Sequence, residues 1–133
     1  MLPVTLRRLA DAEPDSHGYD LVIDVRSPAE FSEDHLPGAV NFPVLDDYER
    51  ARVGFIYKQQ SPFDARKIGA ALVARNAARH IEGPLAHLDK SWRPMVYCWR
   101  GGQRSAAFAT ILAQVGWRVG VVAGGYAMSL LPS

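Results

Sequence analysis

Apolar positions along the chain fall into short runs and helical stripes that alternate. Leu21-Val22-Ile23-Asp24-Val25 is rich in β-branched residues and reads as a buried strand. Ser27-Pro28-Ala29-Glu30 follows at once, with an N-cap, a proline at the first helical position and a capping-box acid, so a short helix is predicted to about Asp34. Leu36-Pro37-Gly38-Ala39-Val40-Asn41 predicts a turn and a second short strand. Val44, Tyr48, Ala51 and Phe55 recur at helical spacing behind the start signals Asp46 and Glu49. Ser61-Pro62-Phe63-Asp64 opens another helix, with Ala65, Ile68 and Leu72 on one face and a stop near Gly83-Pro84. Pro94-Met95-Val96-Tyr97 predicts a third strand that runs into Cys98. Phe108, Ile111, Leu112 and Val115 mark a helix ended by Gly116, and Arg118 to Val122 a last strand closed by Gly124-Gly125. Val4-Thr5 is a candidate edge strand. Strands that alternate with helices imply an α/β fold with a parallel sheet covered on both faces. Ligands of such sheets sit beyond the carboxyl ends of the strands. Asp24-Val25-Arg26 and the loop that starts at Cys98 are both placed there.

Composition narrows the class. The chain has 133 residues, 48% of them apolar and 22% charged, as in one globular domain spanning 1–133. No apolar run approaches the roughly 18–20 residues of a membrane span. The N-terminus lacks a signal peptide's order of charge then apolar run. One cysteine excludes an internal disulfide and a Cys-rich zinc site, and a cytoplasmic compartment fits. The net charge of +1 hides an asymmetry: residues 1–49 carry a net −8 and residues 50–133 a net +9. Either a basic face meets an anionic partner, or the charges mix on folding into an ordinary solvated surface.

Cys98-Trp99-Arg100-Gly101-Gly102-Gln103-Arg104-Ser105 joins a predicted strand to a predicted helix. The helix start offers unpaired N–H groups and partial positive charge. Two glycines let successive N–H groups point inward as an anion nest, and two arginines add full charges. Such a setting favours a thiolate over a thiol. A nucleophilic sulfur in an anion cradle suits transfer of a sulfur or selenium atom, held as a persulfide or perselenide. It also suits attack on a phosphoryl or arsenyl group. The alternative is a cysteine buried as a small hydrophobe. The flanking guanidinium groups weigh against that, because an apolar site needs neither.

These residues resemble the rhodanese family. Asp24-Val25-Arg26 with Glu30-Phe31, His35-Leu36-Pro37-Gly38-Ala39, the Cys98 loop and Gly124-Gly125-Tyr126 carry the resemblance, in the family's order. A narrower likeness is to the rhodanese half of the bacterial tRNA 2-selenouridine synthase family. It rests on Leu45-Asp46-Asp47, Glu49 to Gly54, Tyr57-Lys58-Gln59-Gln60 and Arg100 to Ser105. The resemblance implies a central five-stranded parallel sheet with helices on both faces and a helical insert at about 45–90. It implies Cys98 as the atom-carrying nucleophile and residues 99–105 as its cradle, with no cofactor. It implies a selenophosphate or thiosulfate-like donor, and tRNA whose wobble 2-thiouridine becomes 2-selenouridine through a geranylated intermediate. It also implies a P-loop domain or partner chain for the full reaction, since no Gly-x4-Gly-Lys-Ser/Thr occurs here. Arg50, Arg52, Lys58, Arg66 and Lys67 would then face tRNA phosphates.

Two features keep other readings open. Five residues separate Cys98 from Arg104, where common rhodaneses have four. Five is the spacing of dual-specificity phosphatases and arsenate reductases on this fold, although those usually place histidine where Tyr97 stands. A non-catalytic tRNA-docking module is the third reading. Asp24 and Arg26 leave one strand end toward one face, as support for the loop or as a structural ion pair, with Arg26 to Glu30 the candidate pair. Trp99 is a candidate to stack on a uracil or geranyl group, or to pack the loop. His35 reads as a turn-stabilising hydrogen bonder. His17, His80 and His87 show no ligand spacing, so no metal is implied. Trp92 and Trp117 read as packing residues.

Overall fold

A computed structural model describes residues 2–4, 18–98 and 103–122. Strands β2 (Leu21–Asp24), β3 (Val40–Asn41), β4 (Pro94–Tyr97) and β5 (Gly120–Val122) lie parallel in the order β5-β4-β2-β3. Leu2–Val4 (β1) pairs in parallel along β5, with Pro3 opposite Val121. The register sets Ile23 beside Val96 and Asp24 beside Tyr97. The strand ends that carry the chemistry, Asp24-Val25-Arg26 and Cys98, therefore emerge side by side. The last strand begins at Gly120 rather than Arg118. Thr5 and the Gly124-Gly125 closure lie outside the described residues.

Four helices connect these strands: α1 (Pro28–Glu33), α2 (Asp47–Gln59), α3 (Pro62–Glu82) and α4 (Gln103–Val115). The start signals act as the sequence predicts. Asp46 caps α2, accepting from Glu49 N–H at 2.7 Å, and Ser61 caps α3, accepting from Asp64 N–H at 2.9 Å. Alternation along the strands divides the core in two. Ile23, Val25 and Val96 pack with Leu72, Val73 and Ala77 of α3 and with Phe108 and Leu112 of α4. Met95, Tyr97 and Val122 pack on the other side with Leu36, Ala39 and Phe31 of α1.

The apolar stripe of α2 is not its buried face, which corrects the sequence reading. Tyr48 and Phe55 are largely exposed and Ala51 is exposed, while Ile56 is the buried residue of that helix. Val44 is buried, but it precedes the helix. The helix is held instead by a buried polar staple. Asn76 of α3 donates to Val44 O at 2.8 Å and to the Glu49 carboxylate at 2.9 Å. His80 Nε2 lies 2.7 Å from Pro43 O and further fixes the segment that leads into α2. One side of α2 is thereby left facing the mouth of the sheet rather than the core.

Candidate active site

Cys98 follows β4 directly and is 2% exposed. It packs within the main core cluster and also lines a cleft of about 900 Å³. Its sulfur thus sits at the floor of that cleft. Ser105, in the first turn of α4, is fully buried beside it. The Ser105 N–H donates to Cys98 Sγ at 3.3 Å, and Ser105 Oγ lies 3.3 Å from the same sulfur. First-turn amides are the donors a helix offers to groups outside it, and this one serves a sulfur. The sulfur therefore lies at the positive end of α4, as an anionic nucleophile requires.

Arg104 reaches the same cleft, but its guanidinium is already gripped. It donates to both oxygens of Glu30, at 2.8 and 3.2 Å. Glu30 also accepts from the Ser27 N–H at 3.0 Å and hydroxyl at 3.1 Å, and pairs with Arg50 Nε at 3.3 Å. Burial alone would raise the Glu30 carboxyl. The Arg104 hydrogen bonds and charge, the Ser27 N–H and the Arg50 charge outweigh it and hold the group at about 2. Glu30 is thus ionised at any physiological pH, and among the described residues it fixes two of the cleft's three cations, Arg50 and Arg104. The sequence marks Glu30 as a capping acid, as part of the family-like motif and as a candidate partner of Arg26, but not as the partner of Arg104. Its place in the motif around Asp24 and Phe31 was the signal of a second role.

Arg26 does not pair with Glu30, which corrects the expected partner. It is 1% exposed and clamps Asp24 with hydrogen bonds of 2.8 to 3.1 Å. It also donates to the backbone oxygen of Asp34, at the end of α1. Burial opposes the Arg26 charge, and the Asp24 carboxylate more than restores it, so its proton is held above the ordinary arginine value. Tyr97 is pushed up by burial and by Asp24, and its hydroxyl accepts from Leu36 N–H at 3.0 Å. This group ties the strand ends to the turn before β3. Asp24 is fully buried in it and does not face the cleft.

Of the expected site residues, the structure brings Cys98, Gln103, Arg104, Arg50 and Lys58 to one cleft. Arg66 lines a neighbouring cavity of about 480 Å³ that shares Gln103 and Arg104. Arg52 and Lys67 are exposed on α2 and α3 and line neither. Trp99, Arg100, Gly101 and Gly102 lie outside the described residues, as does His17. His35 caps its turn, with Nδ1 2.8 Å from Phe31 O. Trp92 and Trp117 pack edge to face at 5.1 Å. Among the described residues no group of three His, Cys, Asp or Glu could hold a metal ion, and no helix is long and apolar enough to cross a membrane.

Known proteins give the same picture from another direction. The sequence profile of the rhodanese-like domain matches residues 5–128. A tRNA 2-selenouridine synthase from Nitrosomonas europaea is 41% identical over 106 residues, which is 79% of this chain and 28% of that protein. One from Bdellovibrio bacteriovorus is 38% identical over the same shares. The chain therefore spans under a third of the length of these curated relatives. Among solved structures, the N-terminal domain of a protein from Clostridium difficile 630 assigned as ATP/GTP binding superposes with a TM-score of 0.68 and 32% identity. That match covers 84% of this chain and 88% of the other. A rhodanese-related protein from Thermoplasma volcanium, 20% identical with a TM-score of 0.53 over 94% of this chain and 86% of its own, shares the fold.

Proposed function

This chain belongs to the rhodanese-like domain family, and from that membership and the geometry of the cleft we propose that Cys98 carries a sulfur or selenium atom for tRNA modification. The observation that carries the reading is the first-turn N–H of Ser105 aimed at a cysteine sulfur on the floor of a cleft with cationic walls. In the proposed step with a thiosulfate-like donor, Cys98 Sγ attacks the outer sulfur. The sulfur–sulfur bond of the donor breaks, its electron pair leaves with sulfite, and a persulfide anion remains on Cys98. The helix-end amides stabilise that anion, with the residue 99–104 backbone as the rest of the cradle. Arg104, held by Glu30, and Arg50 draw the anionic donor inward.

The likeness to the synthases extends the proposal to their printed name, 2-selenouridine formation in tRNA: a thiosulfate-like donor with selenium as its outer atom loads Cys98 by the same displacement, the donor's selenium–sulfur bond breaking, sulfite leaving with the electron pair and a perselenide anion remaining on Cys98. Arg50, Arg52, Lys58, Arg66 and Lys67 then meet phosphates, in the cytoplasm. The five-stranded sheet and the reading of 45–90 as an insert belong to the same proposal. So does residues 1–133 as one rhodanese-like unit, with a P-loop domain or partner chain for the full reaction. The similarity to a domain from a protein assigned as ATP/GTP binding supports that partnership. Against the phosphatase reading, the carboxylate that Arg104 grips, Glu30, is ionised down to about 2 and is thus a poor general acid.

Intact-mass measurement after incubation with thiosulfate or selenosulfate tests the reading. One reducible sulfur or selenium adduct is expected on the chain and none on Cys98→Ser. An adduct that survives Cys98→Ser, or none with either donor, overturns it.

A further inference from the structure

The α2 wall of the Cys98 cleft carries two aromatic rings that the protein does not bury. Phe55 is 62% exposed and Tyr57 56% exposed, and both line the cleft. Beside them stands Gly54, in mid-helix. A Cβ on Gly54 would meet nothing within 4 Å, so no close approach inside the protein requires glycine there. Glycine nevertheless weakens a helix interior relative to alanine. Its neighbours one turn away on the same face are Arg50, Tyr57 and Lys58, all lining the cleft. The wall therefore presents a bare strip of helix flanked by two rings and two cations, above the sulfur of Cys98.

We infer that this wall seats a nucleobase of single-stranded RNA. The base stacks on Phe55 or Tyr57 across the strip at Gly54, with Arg50 and Lys58 on the adjoining phosphates. Rings with interleaved arginine and lysine are the composition of sequence-tolerant single-strand grooves, where stacked bases supply much of the affinity. A protein partner would also cover exposed rings, but lysine is depleted from the cores of such interfaces, and Lys58 stands inside this one. The inference rests on tRNA as the substrate and deepens that reading. It identifies what holds the base while the edge to be modified faces Cys98.

Fluorescence anisotropy with a labelled single-stranded uridine pentamer tests it. Phe55→Ala/Tyr57→Ala is expected to weaken binding by about tenfold or more, since stacking is lost. The slope of log affinity against log salt should stay unchanged, because the phosphate contacts remain. Gly54→Leu, which restores a good helix former at a position open to solvent, should weaken binding while the fold is kept, as circular dichroism will show. Failure of the unaltered chain to bind the pentamer overturns the inference. So does equal binding by the double variant, which would give the rings to a protein partner. Cys98 loading is measured separately by mass. Loading without binding removes the seat and leaves the chalcogen reading standing, while binding without loading does the reverse.

Discussion

Glu30 takes hydrogen bonds from Ser27 and Arg104 and an ion pair from Arg50, so one carboxylate joins the start of α1 to α2 and α4. Cys98, Arg104 and Ser105 were legible in the sequence because eight consecutive positions hold them all. Glu30 was not, because it lies 74 residues from Arg104 and only folding brings them together. Its depressed pKa has a consequence for stability. The carboxyl titrates at about 2 in the folded protein against an ordinary 4.5. A group depressed on folding contributes stability that is complete above its unfolded value and is lost as pH falls through its folded one. Glu30→Gln should therefore lower stability at pH 7 by on the order of 2 kcal/mol, with the deficit shrinking between about pH 4.5 and 2. Urea midpoints for both proteins across that range will check this. A deficit independent of pH would assign the loss to packing instead of charge.

Among the elements, helix starts were the most legible feature, because capping chemistry is local: Asp46 with Glu49 and Ser61 with Asp64 announce α2 and α3 without help from the rest of the chain. The buried face of α2 was not legible. Periodicity equates apolar with buried, whereas Tyr48 and Phe55 face outward and a polar residue, Asn76, anchors the helix from α3. The pairing of Arg26 with Asp24 and not Glu30 depends likewise on the sheet register, which no local pattern encodes. Two glycines separate the demands of fold and cleft. On Gly120 in β5 a Cβ would stand 2.5 Å from Met95 Cε and 2.6 Å from the Tyr19 ring. Gly120→Ala should cost roughly 1–3 kcal/mol by overpacking. Gly54→Ala meets open space and should stabilise by about 0.5–1 kcal/mol. Thermal melts of the two variants should move in opposite directions. A loss of stability in Gly54→Ala would mean that α2 needs glycine for the fold.

Across the whole molecule, the charge split of the sequence is only partly erased by folding. Among the described residues, three ion pairs cross it: Arg104 and Arg50 to Glu30, and Arg93 to Asp20. The bland reading of mixed surface charge accounts for those. Arg52, Lys58, Arg66 and Lys67 instead stay exposed on the adjacent helices α2 and α3, with Lys58 and Arg66 lining the two neighbouring cavities. A cation already paired releases fewer counterions to an incoming phosphate, so Arg50, though it meets phosphate, adds less to the salt slope than these four. Four neutralised phosphates imply that affinity falls roughly 10²-fold between 50 and 200 mM salt. Arg66→Glu/Lys67→Glu removes two of them, and the log–log salt slope should become shallower by about 1–2. Both positions are exposed and away from Cys98, so the fold should be little altered. Filter binding of tRNA across a salt series reads the slope directly. An unchanged slope would show that these two residues are solvated surface charges, and would move the anionic partner's footprint to α2 alone.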